Sequence, residues 1–317
     1  IILNKLGGYR HEEKLRKVIE HYTDVQVIGA VHHSPELDIE ERHLGLVPSH
    51  EDASCERKIK ALQKAVEEQV DLDALQKIST GQTPARKSVI SAHSAVRQAD
   101  VNIGIIQNAA FGFYYPDDLD AFESAGARLV AVDNIADSEL PDLDGLFIGG
   151  GFPETHMRAL ESNERFRQQL AHAIDNGLPV YAECGGLMYL ARSIAWQAQK
   201  HNMVGAIPAD IVMEPRPQGR GYVQLRETIQ GIWPSRSEQA IAAHEFHYSR
   251  FINLPKDARF AFQVLRGTGI DGEHDGYIRN NMLACYTHQR NTRNNNWVVR
   301  FVEFVRKCKS ESRNTSL

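Results

Sequence analysis

One ten-residue segment, residues 181–190, constrains the fold of this chain more than any other. It reads Y-A-E-C-G-G-L-M-Y-L and follows an apolar run that is typical of a buried strand. The strand is predicted to stop before Glu183, and a helix is predicted from Leu187 to Arg192. A strand, a cysteine at a sharp turn beside glycines, and a helix are the parts of a nucleophile elbow. The turn would present the Cys184 thiol next to a helix N-terminus, whose partial positive charge favours the thiolate.

The composition of the whole chain is that of an ordinary globular protein. Its 317 residues include 42% hydrophobic and 24% charged side chains, with a formal net charge of −5. This length allows two domains, and the charge gives no reason to expect nucleic acid or an anionic membrane as a partner. No apolar run approaches the roughly 20 residues that span a bilayer. The four widely spaced cysteines fit neither a zinc site nor a disulfide framework, which favours a cytoplasmic location.

The chain divides into two predicted α/β segments. Residues 1–80 alternate strand and helix patterns, as a parallel α/β unit does. Residues 81–100 lose this periodicity and carry glycine, proline and small polar side chains, so we expect a linker there. A second α/β pattern fills residues 101–309, and a polar tail, 310–317, follows it. The chain begins with isoleucine inside a predicted strand, so we expect the natural N-terminus to lie upstream.

The apolar periodicity also predicts the individual elements. Helices are expected over residues 12–22, 56–76, 116–125, 164–176, 187–192 and 297–307. Strands are expected over residues 1–7, 25–31, 101–106, 129–132, 145–148, 178–182, 205–212, 221–225, 262–265 and 282–286.

Catalysis by a cysteine needs a base and hydrogen-bond donors for a developing oxyanion. His288 follows the predicted strand 282–286, and α/β sheets gather functional residues at the carboxyl ends of their strands. Backbone amides for the oxyanion are expected from Gly185 and from a triglycine turn that includes Gly150 and Gly151. A structural cysteine and a capping histidine are the competing interpretations, and the two separate glycine turns favour catalysis.

A second histidine cluster lies in the segment A-H-E-F-H-Y-S. Its members His244 and His247 are three residues apart on a predicted strand or loop, which is poor spacing for zinc, and we expect no metal site. No G-x-x-x-x-G-K-[ST] motif occurs in the chain, so the sequence has no self-contained site for nucleotide phosphates.

Several motifs together resemble the cobyrinic acid a,c-diamide synthases, the CbiA/CobB family, in order and in spacing. Besides the elbow they are L-F-I-G-G-G-F-P-E (146–154), H-E-F-H-Y-S (244–249), A-C-Y-T-H (284–288), A-F-G-F-Y-Y-P-D-D-L (110–119), M-V-G-A-I-P (203–208), N-K-L-G-G-Y-R-H (4–11) and E-R-H-L-G-L-V-P (41–48). The resemblance implies an α/β protein in two parts. Residues 1–80 would be the C-terminal half of a P-loop-type ATP-binding domain, without its P-loop half. Residues 101–309 would be a class I glutamine amidotransferase domain of the flavodoxin-like kind.

The resemblance also implies a function, that of a ligase depending on glutamine, ATP and Mg²⁺. Cys184 would attack the side-chain amide of glutamine, with His288 as the base, and release ammonia for the a and c acetates of a tetrapyrrole such as cobyrinic acid. The glutamine and oxyanion site would include Gly150, Gly151, Gly185, His244, His247, Tyr248 and Ser249. Asn4, with Lys5 beside it, would contact adenine. The expected partners are glutamine and the tetrapyrrole carboxylate, and a homodimer is left open.

The chain departs from the family pattern near His288. Class I amidotransferases usually carry glutamate two residues after the catalytic histidine, whereas this chain has Arg290 there, so a Cys–His dyad is expected. The segment T-H-Q-R-N, with A-F-G-F and G-G-F-P-E, is similar to the sirohaem-amidating branch called DsrN. Amidation of nickel-sirohydrochlorin is a further alternative acceptor. A stand-alone cysteine hydrolase and a tetrapyrrole-binding module are the alternatives of other classes.

Overall fold

The computed structural model describes residues 1–39, 41–42, 45–46, 55–80, 98–235 and 239–315. It divides into two compact units, Ile1–Ala92 and His93–Leu317. The predicted linker lies almost entirely outside the described residues, as does half of the motif at 41–48, so both stay predictions. Within the described part of the chain, no helix is long and apolar enough to cross a membrane.

The first unit is a small α/β arrangement. Its strands and helices are β1 (Ile2–Leu6), α1 (Tyr9–Tyr22), β2 (Gly29–His32), β3 (Glu41–Arg42), β4 (Gly45–Leu46), α2 (Cys55–Gln69) and α3 (Leu72–Thr80). Strands β1 and β2 pair in parallel, with Ile2 opposite Gly29, and α1 connects them. The strand predicted over 25–31 is shorter than expected, because it begins only at Gly29.

The prediction of one long helix over 56–76 is wrong, since α2 and α3 are separate helices. Between them Val70 forms a bridge with Gly29, and the Asp71 backbone N–H donates to the Ile28 carbonyl at 2.7 Å. The Asp71 carboxylate then accepts from the Ala74 N–H at 2.9 Å, which is the hydrogen bond of a helix N-cap. Pairing with β2 therefore ends α2, and the aspartate starts α3.

The second unit contains twenty-one strands and helices in the described residues 98–235 and 239–315. They are β5 (Val101–Ile106), β6 (Phe111–Phe113), α4 (Pro116–Ser124), β7 (Ala127–Val132), β8 (Gly145–Ile148), β9 (Gly150–Gly151), α5 (Met157–Ser162), α6 (Glu164–Asp175), β10 (Val180–Glu183), α7 (Gly185–Leu190), β11 (Ala191–Trp196), β12 (Gln199–Asn202), β13 (Ile207–Met213), β14 (Gly219–Glu227), β15 (Ile241–His247), β16 (Ser249–Ile252), β17 (Arg259–Arg266), β18 (His274–Arg279), β19 (Met282–Cys285), β20 (His288–Gln289) and α8 (Trp297–Thr315).

One ten-stranded sheet organises this unit, in the order β20-β15-β14-β17-β18-β19-β10-β8-β5-β7. The strands from β19 to β7 are parallel, and those from β19 to β20 are antiparallel. Only two residues separate β19 from β20, yet these strands lie at opposite ends of the antiparallel half. That half must therefore curl back on itself, which returns His288 to the carboxyl end of β10.

The central strands are buried on both faces, as strands of a covered parallel sheet are. Along β10, Val180 and Ala182 belong to one apolar cluster, and Tyr181 belongs to the other. The second cluster also contains Trp297 and Phe301 of α8, which cover this face of the sheet. The α/β fold expected from the sequence is confirmed.

Two boundary predictions around the elbow are wrong. Glu183 is the last residue of β10 and not part of the turn, and α7 runs from Gly185 to Leu190 instead of 187–192. The chain becomes a strand at Ala191, because β11 pairs with both β12 and β13 in a separate four-stranded sheet. The patterns also missed β11, β12, β16 and β18.

The polar tail predicted from residue 310 is mostly helical. Helix α8 continues to Thr315, with the Ser312 hydroxyl donating to the Cys308 carbonyl at 3.0 Å. Lys309 pairs with Asp144 at 2.7 Å, which fixes this part of the helix against the end of the sheet.

Candidate active site

Cys184 lies at the junction of β10 and α7 in a backbone conformation that side chains rarely adopt, with φ 46° and ψ −101°. Its N–H donates to the Cys285 carbonyl at 2.8 Å, and its own carbonyl accepts from the Met188 N–H at 3.0 Å. Pairing with β19 and the first turn of α7 thus hold the strained residue in place. A strained cysteine between a strand and a helix is the geometry of a nucleophile elbow.

The glycines around the elbow are required by close packing. A Cβ atom on Gly186 would lie 2.3 Å from the Ile148 carbonyl oxygen, and one on Gly185 would lie 2.8 Å from the Gly151 nitrogen. A Cβ on Gly151 would in turn lie 2.0 Å from the Ala110 oxygen. The elbow and the triglycine turn therefore lie backbone against backbone, which only glycine permits.

His288 is held between the elbow and the triglycine turn. Its Nδ1 lies 3.2 Å from Oε2 of Glu183, which leaves Nε2 to face Cys184. Burial lowers the pKa of His288, but hydrogen bonds with the Cys184 thiolate and the Glu183 carboxylate outweigh burial and raise the pKa to about 10. The predicted nucleophile and base are thus neighbours in the structure.

Sequence reasoning missed Glu183 as a partner of the histidine. Its Oε1 accepts from the Tyr181 hydroxyl at 2.7 Å and from the Gln289 N–H at 2.9 Å. Arg290 occupies the position two residues after His288, where class I amidotransferases usually carry a glutamate. It pairs instead with Asp117 at 2.5 Å on the surface. The available signal was a charged residue inside an apolar strand, because such residues are rarely buried unless they are paired.

The two histidines of the A-H-E-F-H-Y-S segment lie on opposite faces of β15, as residues three apart on a strand do. His244 stacks on His288, with ring centroids 4.9 Å apart, and its Nδ1 lies 3.5 Å from the Tyr115 hydroxyl. Burial and the neighbouring His288 lower the pKa of His244, which favours a neutral ring beside the imidazolium.

His247 packs on the other side of the strand. It stacks on Tyr286 at 3.9 Å, and its Nδ1 lies 2.8 Å from the Ser249 carbonyl oxygen. The Ser249 hydroxyl donates to the Tyr286 hydroxyl at 3.0 Å. His247 and Ser249 are buried and support the residues just before His288, while Tyr248 is half-buried with its ring 5.9 Å from that of Phe246. Binding of glutamine by these three residues stays a prediction.

The two residues predicted to contact a nucleotide lie in the first unit. Asn4 and Lys5 border a cavity of about 710 Å³ whose lining includes His32 and several apolar side chains. The Asn4 side-chain oxygen accepts from the Lys5 N–H at 2.9 Å, and Lys5 has a φ of 54°. Among the described residues, the Asn4 amide nitrogen has no hydrogen-bond partner, so it can donate to a ligand.

A protein-family model, described as the CobB/CobQ-like glutamine amidotransferase domain, matches residues 102–296. That range is more than half of the chain, and it contains Cys184, Glu183, His288 and the triglycine turn. The chain belongs to this family. The resemblance seen in the sequence is confirmed.

Curated relatives extend the match of this CobB/CobQ-like chain into its first unit. A cobyrinate a,c-diamide synthase of Magnetococcus marinus is 39% identical over 293 residues, which are 91% of this chain and 62% of that protein. The synthase of Archaeoglobus fulgidus is 38% identical, over 98% of this chain and 67% of that protein. The chain thus spans about two thirds or less of these relatives. A crystal structure of a glutamine amidotransferase is 16% identical, with a TM-score of 0.47 over 64% of this chain and 98% of its own.

Proposed function

We propose that this chain carries the glutamine-hydrolysing site of an enzyme that amidates the a and c acetates of cobyrinic acid. The observation that carries the proposal is the placement of His288. It has Cys184 on one side and a buried carboxylate on the other, inside the part of the chain that matches the amidotransferase family. The acceptor comes from the names of the relatives, which are cobyrinate a,c-diamide synthases. Sirohaem remains the alternative acceptor.

The chemistry of the site follows from its residues. Because the pKa of His288 is raised to about 10, its ring is an imidazolium at neutral pH, and the Cys184 thiolate that pairs with it attacks the amide carbon of glutamine. We expect the backbone amides of Gly185 and the triglycine turn to share the developing oxyanion, because the two turns pack closely against each other. The imidazolium then returns its proton to the leaving nitrogen, so that ammonia departs and a γ-glutamyl thioester remains. Water activated by His288 attacks the thioester, which releases glutamate and restores the thiol.

ATP would supply the phosphoryl group that makes the acceptor carboxylate reactive, and Mg²⁺ would accompany its phosphates. The cavity beside Asn4 and Lys5 fits the base of the nucleotide, because it is largely apolar and offers a side-chain amide at its edge. The reaction would make the complete enzyme a carbon–nitrogen ligase. Four unpaired cysteines support a cytoplasmic location, and a homodimer stays a prediction.

The test separates the two half-reactions in the full-length enzyme. The variant Cys184→Ala should lose glutamine-dependent amidation of cobyrinic acid but keep amidation when ammonium replaces glutamine. Cys308→Ala is the matched control and should keep both activities, because Cys308 lies on α8 in an apolar cluster that does not include Cys184. Release of ammonia from glutamine by Cys184→Ala at the wild-type rate would contradict the proposal.

A further inference from the structure

We propose that Glu183, the residue immediately before the nucleophile, is the positioning carboxylate for His288, so that the site is a Cys–His–Glu triad and not a dyad. The inference rests on the proposed function, since it assigns a role within that same site. It places the third partner on the strand that carries the cysteine instead of on the segment that carries the histidine.

The carboxylate is fixed by its own partners. Oε1 receives hydrogen bonds from the Tyr181 hydroxyl at 2.7 Å and from the Gln289 N–H at 2.9 Å, so Oε2 is left to face His288. The Gln289 side chain donates to the Tyr181 hydroxyl at 3.2 Å, and its oxygen accepts from Asn295 at 3.0 Å. The donors to the glutamate are thus part of a hydrogen-bonded network, which sets the orientation of the carboxylate.

Burial makes this pair stronger than a surface contact. The His288 and Glu183 side chains are only 10% and 4% exposed. A carboxylate that far from water is stable only when it is paired and hydrogen-bonded. With the Nδ1–H directed at the carboxylate, the neutral ring must carry its free lone pair on Nε2, which is the nitrogen that faces the thiol. The carboxylate also stabilises the imidazolium that forms when the thiol gives up its proton.

The other groups around His288 do not compete for this role. Cys184 faces it from the elbow, His244 stacks on it from β15, and Gly150 approaches it from the triglycine turn. Tyr115 reaches the pair only through His244, at 3.5 Å. His244 is kept neutral by burial and by its charged neighbour, so it neither supplies nor cancels the negative charge.

The chain contains a matched pair outside the site. Glu161 contacts Nδ1 of His201 at 2.7 Å with one oxygen and accepts from the Asn202 N–H at 2.7 Å with the other. This is the arrangement that Glu183 makes with His288 and Gln289, but at the more exposed edge formed by α5 and β12. Replacing each glutamate by glutamine removes one charge from the same local geometry.

The experiment measures glutamine hydrolysis by wild-type protein, Glu183→Gln and Glu161→Gln between pH 6 and 10.5. Glu183→Gln should lower kcat by about 10- to 100-fold, with KM changed less than about twofold. The alkaline limb of its kcat/KM profile, which reports loss of the imidazolium, should move down by about one pH unit or more. Glu161→Gln should leave kcat and the profile unchanged. If Glu183→Gln folds poorly, Glu183→Asp keeps the charge but draws the carboxylate back from Nδ1 of His288, and should change kcat and the profile in the same direction by a smaller amount.

Two results would overturn the inference. One is a Glu183→Gln variant with wild-type kcat and an unmoved alkaline limb, while Cys184→Ala is inactive. The other is an equal loss of kcat in both glutamine variants with no change in the profile, which would show a purely structural role. If Cys184→Ala itself hydrolyses glutamine, the proposed function is wrong, and that result is distinct from the other two.

Discussion

Gly150 lies directly against the ring of His288, so that a Cβ atom added at this glycine would be 2.6 Å from Cε1 of the imidazole. Glu183 contacts the other side of the ring. Any shift of the imidazole away from a Cβ at position 150 would therefore break the contact between Nδ1 and the Glu183 carboxylate. The triglycine turn therefore sets the position of the His288 ring.

Gly150→Ala should displace His288 and lower kcat for glutamine hydrolysis by about 100-fold, since a displacement of about 1 Å in a catalytic group has that effect. Gly231→Ala is the control, because among the described residues its Cβ would meet only the Thr228 oxygen, at an ordinary 3.6 Å. Steady-state kinetics of glutamine hydrolysis by both variants test this. Equal kcat values would contradict the conclusion that Gly150 positions His288.

The strain at Cys184 predicts an inverted order of stability between two variants. At most positions a variant with glycine has a free energy of unfolding about 0.5–1 kcal/mol lower than the variant with alanine. At φ 46° and ψ −101° the order should reverse, so that Cys184→Gly exceeds Cys184→Ala by about 1 kcal/mol in free energy of unfolding. Both variants should be inactive. Urea denaturation curves of the pair test this, and the ordinary order would show that the elbow stores no strain.

Asp118 predicts a pH-dependent gain in stability. Burial of this 2%-exposed residue raises the pKa of its carboxyl to about 6, although the Asn291 N–H partly opposes the effect. The folded protein therefore takes up a proton near pH 6, whereas the unfolded chain does so near pH 4. Between these values Asp118 binds more proton in the folded state than in the unfolded chain, so the contribution of this residue to stability increases as the pH falls from 7 to 4.

Asp118→Asn should remove that dependence, because an amide oxygen can still accept from Asn291 without carrying a charge. The variant should be more stable than the wild type at pH 7.5 and equal to it at pH 4, as judged from urea midpoints. Asp117→Asn is the neighbouring control. The Arg290 guanidinium lowers the pKa of Asp117, so its loss should give no gain at pH 7.5. A gain in both variants would point to general charge repulsion instead.

Tyr114 links two strands behind the triglycine turn. Its hydroxyl accepts from the Gly149 N–H at 3.0 Å and donates to the Ile106 carbonyl. Tyr114→Phe should lower the free energy of unfolding by about 1–3 kcal/mol, because it leaves two backbone groups without a partner. It should also reduce glutamine hydrolysis by loosening Gly150. Tyr277 is also buried, but its hydroxyl makes no hydrogen bond within the described residues. Tyr277→Phe should therefore lower the free energy of unfolding by less. Similar losses in the two variants would contradict the linking role of Tyr114.

Local patterns predicted the parts of the site that depend on neighbouring residues. The strand at 145–148, the cysteine turn and the histidine after a strand all follow from periodicity and from glycine chemistry within a few residues. The rule that functional residues gather at the carboxyl ends of strands added His288 as the candidate base for Cys184, and the resemblance to the family added glutamine as the substrate. These are contacts whose signals lie in the sequence around each partner.

The parts that were missed depend on which strands become neighbours. Glu183 and His288 are 105 residues apart and meet only because β19 pairs with β10. The break between α2 and α3 arises in the same way, from the pairing of Val70 with Gly29. In both places the partner comes from a distant segment, so the local pattern could at most mark Glu183 as a buried charge and could not identify His288 as its partner.

The central claim is that Cys184 forms a covalent γ-glutamyl intermediate. The direct measurement is to mix the protein with glutamine, quench with acid within seconds, and map the cysteine peptides by mass spectrometry. The account predicts a γ-glutamyl group on the peptide that contains Cys184 and none on the peptides of Cys55, Cys285 or Cys308. Glutamine turnover without any adduct at Cys184, or with the adduct on another cysteine, would contradict it.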